Sequence, residues 1–523
     1  MSRSVSRRLF LARSGAVTAT TAAVTALPTA PSQALRSPTV RMPDVPVRKE
    51  ALQDPTEATL AEAATLLRRR KLTSVALTRA YLDRIAAYDT VYQAYVTVLA
   101  DQAMAAAKRA DRNGRGPLSG IPLNIKDNFF TAGVRTTANS FIFDRFVPDH
   151  DATVVARLTG AGAIVLGKGQ MGPLATTRAT TPDGRITTVN AWTPADPSVD
   201  PGGSSTGPAT AVAARLAASS IGTQTGGSIV LPSNQQNLTG LKPTMGRASI
   251  HGIVPLSFTR DHPGPLARDA LDAAIMLAVM AGPDPRDPRT LGLPRVPDLV
   301  RAATPVRRDG RVRLRRATRI GVPADYLATS NAQVLALRRQ FLATLEKIPG
   351  ARPVEVAYPA DWGLLTGAFN DARLAERTEP FRPFLQKDLR LFGVSVLSWL
   401  GGLMLSGDEW VTAQRAKAHL LREVLDGVLE DCDVVLQTGP VPFDILGLPE
   451  IGFPIGFTSA GVPVGTILGG GPYEEDRLLE VVAAYQAVTD WHRRRPADPA
   501  KAGAAARTTR PRIDPVTAAN TSA

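Results

Sequence analysis

The sequence predicts an α/β fold built around a largely buried sheet. Short apolar segments typical of strands alternate along the chain with longer segments in which apolar residues recur at helical spacing. Alternation of this kind is typical of a sheet that is covered by helices. With 523 residues, of which 44% are hydrophobic and 21% charged, the chain can bury a large core and still contain a cleft.

The first 34 residues have the pattern of an export signal and not of a folded domain. The segment SRRLFL at 6–11 contains paired arginines, a mildly apolar stretch follows it, and a small-x-Ala cleavage pattern ends at Ala34. We therefore predict a twin-arginine signal peptide over 1–34, cleaved after Ala34, and a secreted or periplasmic protein. Residues 35–55 are rich in proline and charge, and we expect them to form an extended linker.

Helical periodicity begins after the linker. Thr56 is predicted to cap a first helix and Thr73 a second, because apolar residues follow each threonine at helical spacing. Residues 118–129 then predict a turn, a short apolar strand and a second, polar turn. A helix over 153–158 and a buried strand over 163–166 complete the first alternation of strands and helices.

Two turns rich in glycine and serine lie in the middle of the chain. The first, at 200–207, precedes Pro208, a residue that suits the first turn of the helix predicted over 209–219. A strand at 221–223 then leads into the second turn, TGGS at 225–228.

The remainder of the chain is predicted to complete a single domain over 56–495. Residues 286–319 are rich in proline and arginine and predict a surface excursion, and 334–430 are mostly helical. Strand-like segments return at 433–437, 450–457 and 463–469. Residues 496–523 are rich in alanine, proline, arginine and threonine and are predicted to form a disordered tail.

Composition and motifs argue against several classes of partner. The net charge of +14 comes largely from local arginine runs without interleaved aromatic residues, so we expect no nucleic-acid partner. A single cysteine, Cys432, excludes an intrachain disulfide, and because metal-ligand spacings do not occur we expect neither a metal nor another cofactor. No apolar stretch beyond the signal is long enough to predict stable membrane insertion. The oligomeric state stays open.

Three segments carry residue types that suit nucleophilic catalysis. Lys126 follows the apolar residues of a predicted strand, where burial would favour the neutral amine that can accept a proton. Ser204, Ser205 and Ser228 lie in the two glycine-rich turns, and the glycines before Ser228 allow backbone N–H groups to converge on an oxyanion. A lysine can activate a serine without histidine. By spacing alone, however, a lysine of this kind is more typical of a solvated surface position, and glycine-rich segments of this kind are more typical of ordinary turns.

Several segments, in this order along the chain, resemble the amidase signature family. They are GIPLNIKDN at 120–128, TTANS at 136–140, DATVVARLTGAGAIVLGK at 151–168, GGSSTGPATAVAARLAASSIGTQTGGSIVLPS at 202–233, GLKPTMGRASIHGIVPLSFTRDHPGPLARD at 240–269 and GLPEIGFPIGF at 447–457. The resemblance implies one large domain with a mixed, twisted central sheet flanked by helices on both faces. Core motifs would lie at 120–285 and 433–490, and a variable region at 290–430 would line the outer cleft.

The resemblance also implies a role for each candidate residue. Lys126 would be the base, Ser204 a bridging serine that follows a cis peptide bond from Gly203, and Ser228 the nucleophile. Ser205 would support the bridge, and the backbone N–H groups of the turn would form the oxyanion hole, namely those of Thr225, Gly226, Gly227 and Ser228. The implied reaction cleaves a carboxamide C–N bond through an acyl-enzyme and releases ammonia or an amine.

Some positions depart from the family pattern. Gln224 stands where an acidic residue is common and Val230 where an arginine is common, so both members of a charged pair are neutral here. The segment 169–173 lacks the usual polar residues, and Thr206 and Pro208 replace small ones. None of these changes removes Lys126, Ser204 or Ser228, the implied catalytic triad, but they bear on the shape of the substrate and on full activity.

Two alternatives stay open at this stage. GSSTG at 203–207 also fits the nucleophile elbow of α/β-hydrolase esterases, with Ser205 as nucleophile and a histidine such as His419 or His492 as its base. A secreted amidase-like protein that only binds its ligand is the other alternative. For an active enzyme, the segment SIV at 228–230 resembles peptide amidase-like members and predicts an amide of a mid-sized organic or peptide-like acyl group. The neutral valine would leave the cleft floor less charged, which favours an apolar acyl group.

Overall fold

A computed structural model describes residues 40–367, 369–370, 373–501 and 511–512. The signal peptide and cleavage site predicted over 1–34 lie outside these residues. The described chain forms the predicted α/β fold, with a mixed sheet of 11 strands at its centre. The predicted fold class is therefore confirmed.

The strands of the described residues form this central sheet and one separate hairpin. They are β1 Tyr95–Val98, β2 Pro122–Lys126, β3 Ile164–Gly169, β4 Ser219–Gln224, β5 Thr239–Lys242, β6 His262–Ala267, β7 Val306–Arg308, β8 Arg311–Arg313, β9 Thr318–Pro323, β10 Ala351–Val356, β11 Val434–Gln437, β12 Glu450–Phe457 and β13 Pro463–Gly470. The order in the sheet is β1-β3-β2-β4-β6-β5-β12-β13-β11-β9-β10, and β7 pairs with β8. The strands β3, β2 and β4 are parallel, as are β11, β9 and β10, whereas the other neighbours are antiparallel.

Helices fill the connections between the strands. The α-helices are Lys49–Gln53, Leu60–Arg68, Ser74–Tyr92, Ala100–Asn113, Thr153–Gly160, Thr206–Ala213, Val230–Gln235, Ala270–Met280, Leu299–Ala302, Ala332–Leu345, Trp362–Thr366, Arg373–Lys387, Val396–Leu403, Gly407–Arg422, Leu429–Asp431, Phe443–Leu446 and Glu475–Gln486, with a π-helical turn at Glu423–Val428. Short 3₁₀ turns lie at Pro55–Glu57, Phe141–Phe143, Pro173–Ala175, Pro288–Thr290, Ala324–Leu327, Leu389–Ser395 and Trp491–Arg493.

Two parallel neighbours in the middle of the sheet lead into the candidate site. The strands β2 and β4 pair with Ile125 beside Ile221. Because they run in the same direction, the turns that follow Lys126 and Gln224 leave the sheet at the same edge. Every residue of both strands is buried, as expected for central strands of a sheet that is covered on both faces.

The core on which this sheet rests has two large apolar clusters. The helix Ala270–Met280 contributes to both, with Ile275 in one cluster and Leu277 in the other. All but one of its residues are buried, because apolar side chains surround the helix on nearly every side. This helix therefore ties the two halves of the sheet together.

Side-chain caps fix the beginning of the first long helices. The Thr59 side chain accepts a hydrogen bond from the Glu62 N–H, and the Glu62 carboxylate accepts one from the Thr59 N–H, which is a capping box. The prediction that Thr56 caps this helix is therefore wrong, since Thr56 lies in the preceding 3₁₀ turn. Thr73 caps the second helix as predicted.

The predicted linker over 35–55 is not extended throughout. Residues 40–48 contain neither helix nor strand, but Lys49–Gln53 forms a helix with Ala51 buried. Val40 packs against both large apolar clusters. The prediction of an extended linker is therefore wrong for residues 49–53, because their apolar contacts favour a helical turn on the domain surface.

The region 290–430 does more than line a cleft. Its segments Thr318–Pro323 and Ala351–Val356 are β9 and β10, which extend the central sheet, and the predicted excursion at 286–319 contains the β7–β8 hairpin. The prediction that 290–430 lines the outer cleft is therefore wrong for β9 and β10, whereas the largely exposed β7–β8 hairpin is consistent with a surface excursion. Arginine and proline at and around them conceal the short apolar pattern that marks a strand.

Part of the predicted disordered tail contacts the domain. Asp498 accepts a hydrogen bond of 3.1 Å from the Arg84 guanidinium, and the Pro511 carbonyl accepts one of 3.0 Å from the Ile186 N–H. The prediction of disorder is therefore wrong for these two positions. The rest of the tail, at 502–510 and 513–523, lies outside the described residues.

Among the described helices, no single one combines the length and the hydropathy needed to cross a bilayer. Leu389–Leu403 and Gly407–Asp431 meet the requirement only when taken together, and they are bent by 94° with respect to each other.

Candidate active site

Lys126 is the last residue of β2, and its amine lies among hydroxyl groups. Its Nζ is 2.8 Å from Ser204 Oγ, 3.0 Å from Ser205 Oγ and 2.9 Å from Thr223 Oγ1. The side chain is fully buried, and no carboxylate of the described residues forms an ion pair with it. The structure thus brings together Lys126 and both serines of the first turn, which are 78 and 79 positions away in the sequence.

Burial sets the protonation of this lysine. Removal from water disfavours the ammonium, and it lowers the pKa of Lys126 well below 10.5 although the Asp261 carboxylate acts in the opposite direction. A neutral amine in contact with the Ser204 hydroxyl can serve as a proton acceptor, which a solvated ammonium cannot. The predicted dry pocket around Lys126 is therefore observed.

The first serine turn is packed too tightly for side chains larger than hydrogen at its glycines. The peptide bond between Gly203 and Ser204 is cis, and Gly202 has a φ of +76°. A Cβ at Gly203 would lie 2.6 Å from Arg178 Cα. The Ser204 carbonyl accepts a hydrogen bond of 3.2 Å from the Gly172 N–H, so a neighbouring loop fixes the turn from the other side.

The second serine turn opens onto a cavity. Ser228 is half-buried and lines a cavity of about 260 Å³ together with Ser204, Thr225 and Gly226. Gly227 has a φ of +100°, a conformation that favours glycine. Within the described part of the chain, the N–H groups of Thr225, Gly226, Gly227 and Ser228 form no hydrogen bond, which leaves them available to an oxygen atom of a ligand.

Two buried side chains hold this turn. Gln224 Oε1 accepts hydrogen bonds from the N–H groups of Ile229 and Val230, at 3.0 and 3.1 Å, and Gln224 Nε2 donates to Glu450 Oε2 at 2.7 Å. The Asp261 carboxylate accepts from the Thr225 hydroxyl on the other side of the turn. Gln224 is therefore a brace that uses both ends of its amide, which a carboxylate at this position could not do.

Sequence patterns do not mark several residues of the site. Thr223 accepts hydrogen bonds from Lys126 and from Asn128 Nδ2, the latter at 3.0 Å, and nothing in the strand pattern distinguishes it. Lys168 ends one of the family segments without any sign of its role, yet it is a second fully buried lysine, 3.6 Å from Asp127 Oδ1. These residues can be recognised as part of the site only from their contacts in the structure, because their spacing in the sequence is that of ordinary core residues.

The cavity wall is more polar than the sequence indicates. Besides the two serine turns it contains Thr176, Thr177, Arg178, Asp200, Gln235 and Arg377, and the apolar residues Ala175, Leu231 and Leu256. Val230 is fully buried and does not line the cavity. The expectation that Val230 favours an apolar acyl group from the floor of the cleft is therefore wrong, because this valine does not reach the cavity.

The geometry does not support a nucleophile elbow at Ser205. An elbow follows a strand directly, whereas no strand precedes the first serine turn over 190–202. Ser205 is fully buried and donates to the Thr223 carbonyl at 3.3 Å. His419 pairs with Asp361, and His492 lines a different cavity, so neither candidate histidine contacts this serine. In the described residues no group of three or more His, Cys, Asp and Glu side chains is placed to hold a metal ion.

Comparison with known proteins agrees with this geometry. A family model described as Amidase matches residues 76–438. A glutamyl-tRNA(Gln) amidotransferase subunit of Methylococcus capsulatus is 36% identical over 492 residues, which cover 84% of this chain and 98% of the relative.

Two solved structures are similar over most of the chain. The peptide amidase of Stenotrophomonas maltophilia is 29% identical and superposes with a TM-score of 0.70, covering 85% of this chain and 98% of that one. An amidase family protein of Bacillus anthracis has a TM-score of 0.72 at 25% identity, covering 86% and 95%. The chain therefore belongs to the amidase signature family. Like the other members, it is a hydrolase that acts on the C–N bonds of amides.

Proposed function

We propose that the protein hydrolyses amides with Ser228 as nucleophile, Ser204 as proton relay and Lys126 as base. The contact of 2.8 Å between Lys126 Nζ and Ser204 Oγ carries this proposal. It links a buried amine, whose pKa is lowered, to a serine that lines the same cavity as Ser228.

The steps follow from these positions. Ser228 Oγ attacks the amide carbon while its proton passes to Ser204, whose own proton passes to Lys126. The carbonyl oxygen becomes an oxyanion that the N–H groups of Thr225, Gly226, Gly227 and Ser228 stabilise. The C–N bond breaks, the relay returns the proton to the leaving nitrogen, and ammonia or an amine departs. Water then enters by the same relay and hydrolyses the acyl-enzyme.

The substrate is a small organic or peptide-like amide. A cavity of about 260 Å³ is slightly smaller than most drug-sized pockets and cannot enclose a long acyl chain. Similarity to a peptide amidase supports an amide of this size. We therefore expect a short primary amide or an amidated dipeptide to be hydrolysed with a higher kcat/KM than a long-chain fatty amide.

Replacement of the nucleophile tests the mechanism. Ser228→Ala is expected to lower kcat by several orders of magnitude and to abolish covalent labelling by a fluorophosphonate probe, while the far-ultraviolet circular dichroism stays unchanged. Ser198→Ala is a matched control, because Ser198 lies outside the cavity lining. Normal turnover by Ser228→Ala, or labelling that depends on Ser205, would move the nucleophile to the first turn.

We further propose export by the twin-arginine route, which is supported by the paired arginines Arg7 and Arg8 ahead of a mildly apolar stretch. The Arg7→Lys, Arg8→Lys variant is expected to accumulate inside the cell, and the exported form should begin near Leu35. Cell fractionation and N-terminal sequencing measure both outcomes. Efficient secretion of the double variant would exclude this route.

A further inference from the structure

One wall of the catalytic cavity carries a guanidinium that the domain itself leaves poorly satisfied. Arg178 lines the cavity, and its side chain is only 10% exposed. Its Nη2 donates a hydrogen bond of 3.2 Å to the Thr188 carbonyl, whereas Nε and Nη1 form none with any described residue. A buried cation with unused donors costs free energy unless a ligand supplies acceptors.

The nearest carboxylate does not neutralise this cation well. Asp200 Oδ1 lies 3.9 Å from Arg178 Nε, beyond hydrogen-bonding distance. It accepts a hydrogen bond of 2.9 Å from the Gly202 N–H instead, and the Asp200 side chain is 55% exposed, so water screens its charge. Burial lowers the pKa of Arg178 in spite of this carboxylate, but a guanidinium keeps its proton.

The position of Arg178 relates it directly to the reacting atoms. Gly203 packs against the backbone of Arg178, and the next residue is the relay serine, Ser204. A group bound to Arg178 therefore lies in the same small cavity as Ser204 and Ser228. Since the cavity holds only about 260 Å³, a substrate that reaches both Arg178 and Ser228 is short.

We propose that Arg178 binds a carboxylate on the acyl part of the substrate, so that the enzyme prefers small amides that also carry a carboxylate. The proposal rests on the function proposed above and narrows its substrate class. Guanidinium and carboxylate match in geometry and form charge-assisted hydrogen bonds of about 2.7–2.9 Å, which fix the orientation of the ligand as well as its affinity. Gln235, whose Oε1 is buried without a partner among the described residues, borders the same cavity and offers an acceptor to a polar group beside that carboxylate.

The kinetic experiment compares matched substrates. Monoamides of four- to six-carbon dicarboxylic acids are assayed against the neutral primary amides of equal length, in wild type, Arg178→Gln and Arg185→Gln. Arg185 is a suitable control because it is 61% exposed and does not line the cavity. We expect wild type and Arg185→Gln to prefer at least one acidic amide by about tenfold or more in kcat/KM, and Arg178→Gln to lower that preference about 10- to 100-fold.

A binding experiment separates this proposal from the proposed function. Dicarboxylates of the same lengths are titrated calorimetrically into Ser228→Ala, with and without Arg178→Gln. Dicarboxylate binding that disappears with Arg178→Gln supports the carboxylate site even if no amide is hydrolysed. The absence of amide hydrolysis would contradict only the proposed function. Equal preference for acidic and neutral amides in wild type, or dicarboxylate binding that is absent or unaffected by Arg178→Gln, would overturn the inference.

Discussion

Two lysines at the ends of neighbouring parallel strands show how the same type of side chain has two different roles in one fold. Lys126 ends β2, and Lys168 lies beside Ile125 in the adjacent β3. Both are fully buried. Lys126 contacts hydroxyl groups, whereas Lys168 lies 3.6 Å from the Asp127 carboxylate and donates to the Phe129 carbonyl at 2.6 Å and to Thr136 Oγ1 at 2.7 Å.

The difference in partners decides the charge of each amine. Burial lowers the pKa of Lys168, but only to about 8, because the nearby Asp127 carboxylate stabilises the ammonium and opposes the effect of burial. For Lys126 the Asp261 carboxylate alone opposes burial, and the pKa of this lysine is lowered well below 10.5. Burial alone therefore does not make a base. A buried lysine becomes one when its neighbours are hydroxyls and not a carboxylate.

The largest effect is expected at Lys126. Lys126→Arg keeps a cation but cannot accept a proton, so kcat/KM should fall by about 10²- to 10⁴-fold, the range that a general base contributes. Lys126→Met removes the amine at similar volume. The kcat/KM of this variant should fall by as much as that of Lys126→Arg, while its thermal unfolding midpoint stays near that of wild type. Turnover by Lys126→Arg close to the wild-type value would end the assignment of Lys126 as base.

A smaller effect, on stability, is expected at Lys168. Lys168→Met leaves Asp127 buried without its cation, which costs about 3–5 kcal/mol of unfolding free energy. Lys108→Met is the matched control: Lys108 is exposed, and the change there should stay within about 0.5 kcal/mol. Urea denaturation measures both values. If Lys168→Met unfolds like Lys108→Met, the Lys168–Asp127 pair does not stabilise the fold.

The smallest effect is a change with pH. Because the pKa of Lys126 is lowered, the neutral amine predominates above that pKa, and kcat/KM should rise up to about tenfold per pH unit until Lys126 is neutral. Lys168→Met, assayed at a temperature where it is folded, should keep this rise. A rise that Lys168→Met removes would exchange the roles of the two lysines, and a kcat/KM that falls as the pH rises would exclude a neutral lysine base.

The free energy of unfolding should also depend on pH, because the pKa of Lys168 is lower in the folded chain than in the unfolded chain. Between about 8 and 10.5 the unfolded chain holds a proton on Lys168 that the folded chain releases, so this lysine contributes stability that grows as the pH rises through that window. Lys168→Met removes the contribution, and urea denaturation as a function of pH measures it.

Sequence patterns predicted the parts of the fold that depend on local chemistry. The strands that became β4, β11, β12 and β13, the Thr73 cap and the two serine turns follow from apolar spacing and from glycine placement. The pattern failed at β9 and β10, where arginine and proline at and around the strands mask short apolar runs. The pattern also predicted a helix cap at Thr56 instead of Thr59. Both threonines precede the same apolar segment, so the sequence signal does not distinguish between them.

The candidate site could be predicted only as far as the family motifs reach. Lys126, Ser204 and Ser228 were found by resemblance, and the structure places the first two in contact and the last two in one cavity. The residues that tune the site were not found. Thr223 and Arg178 have no distinguishing neighbours in the sequence, since their roles come from contacts between segments far apart in the chain.

The hydrogen bond from Gln224 to Glu450 spans 226 positions of sequence. During synthesis, Lys126 and both serine turns leave the ribosome long before the strand that carries Glu450 has been made. A nascent chain that ends ahead of Glu450 thus contains every proposed catalytic side chain but not the partner that completes the Gln224 brace. We expect such a chain to be inert, so that hydrolysis begins only when the C-terminal strands have joined the sheet.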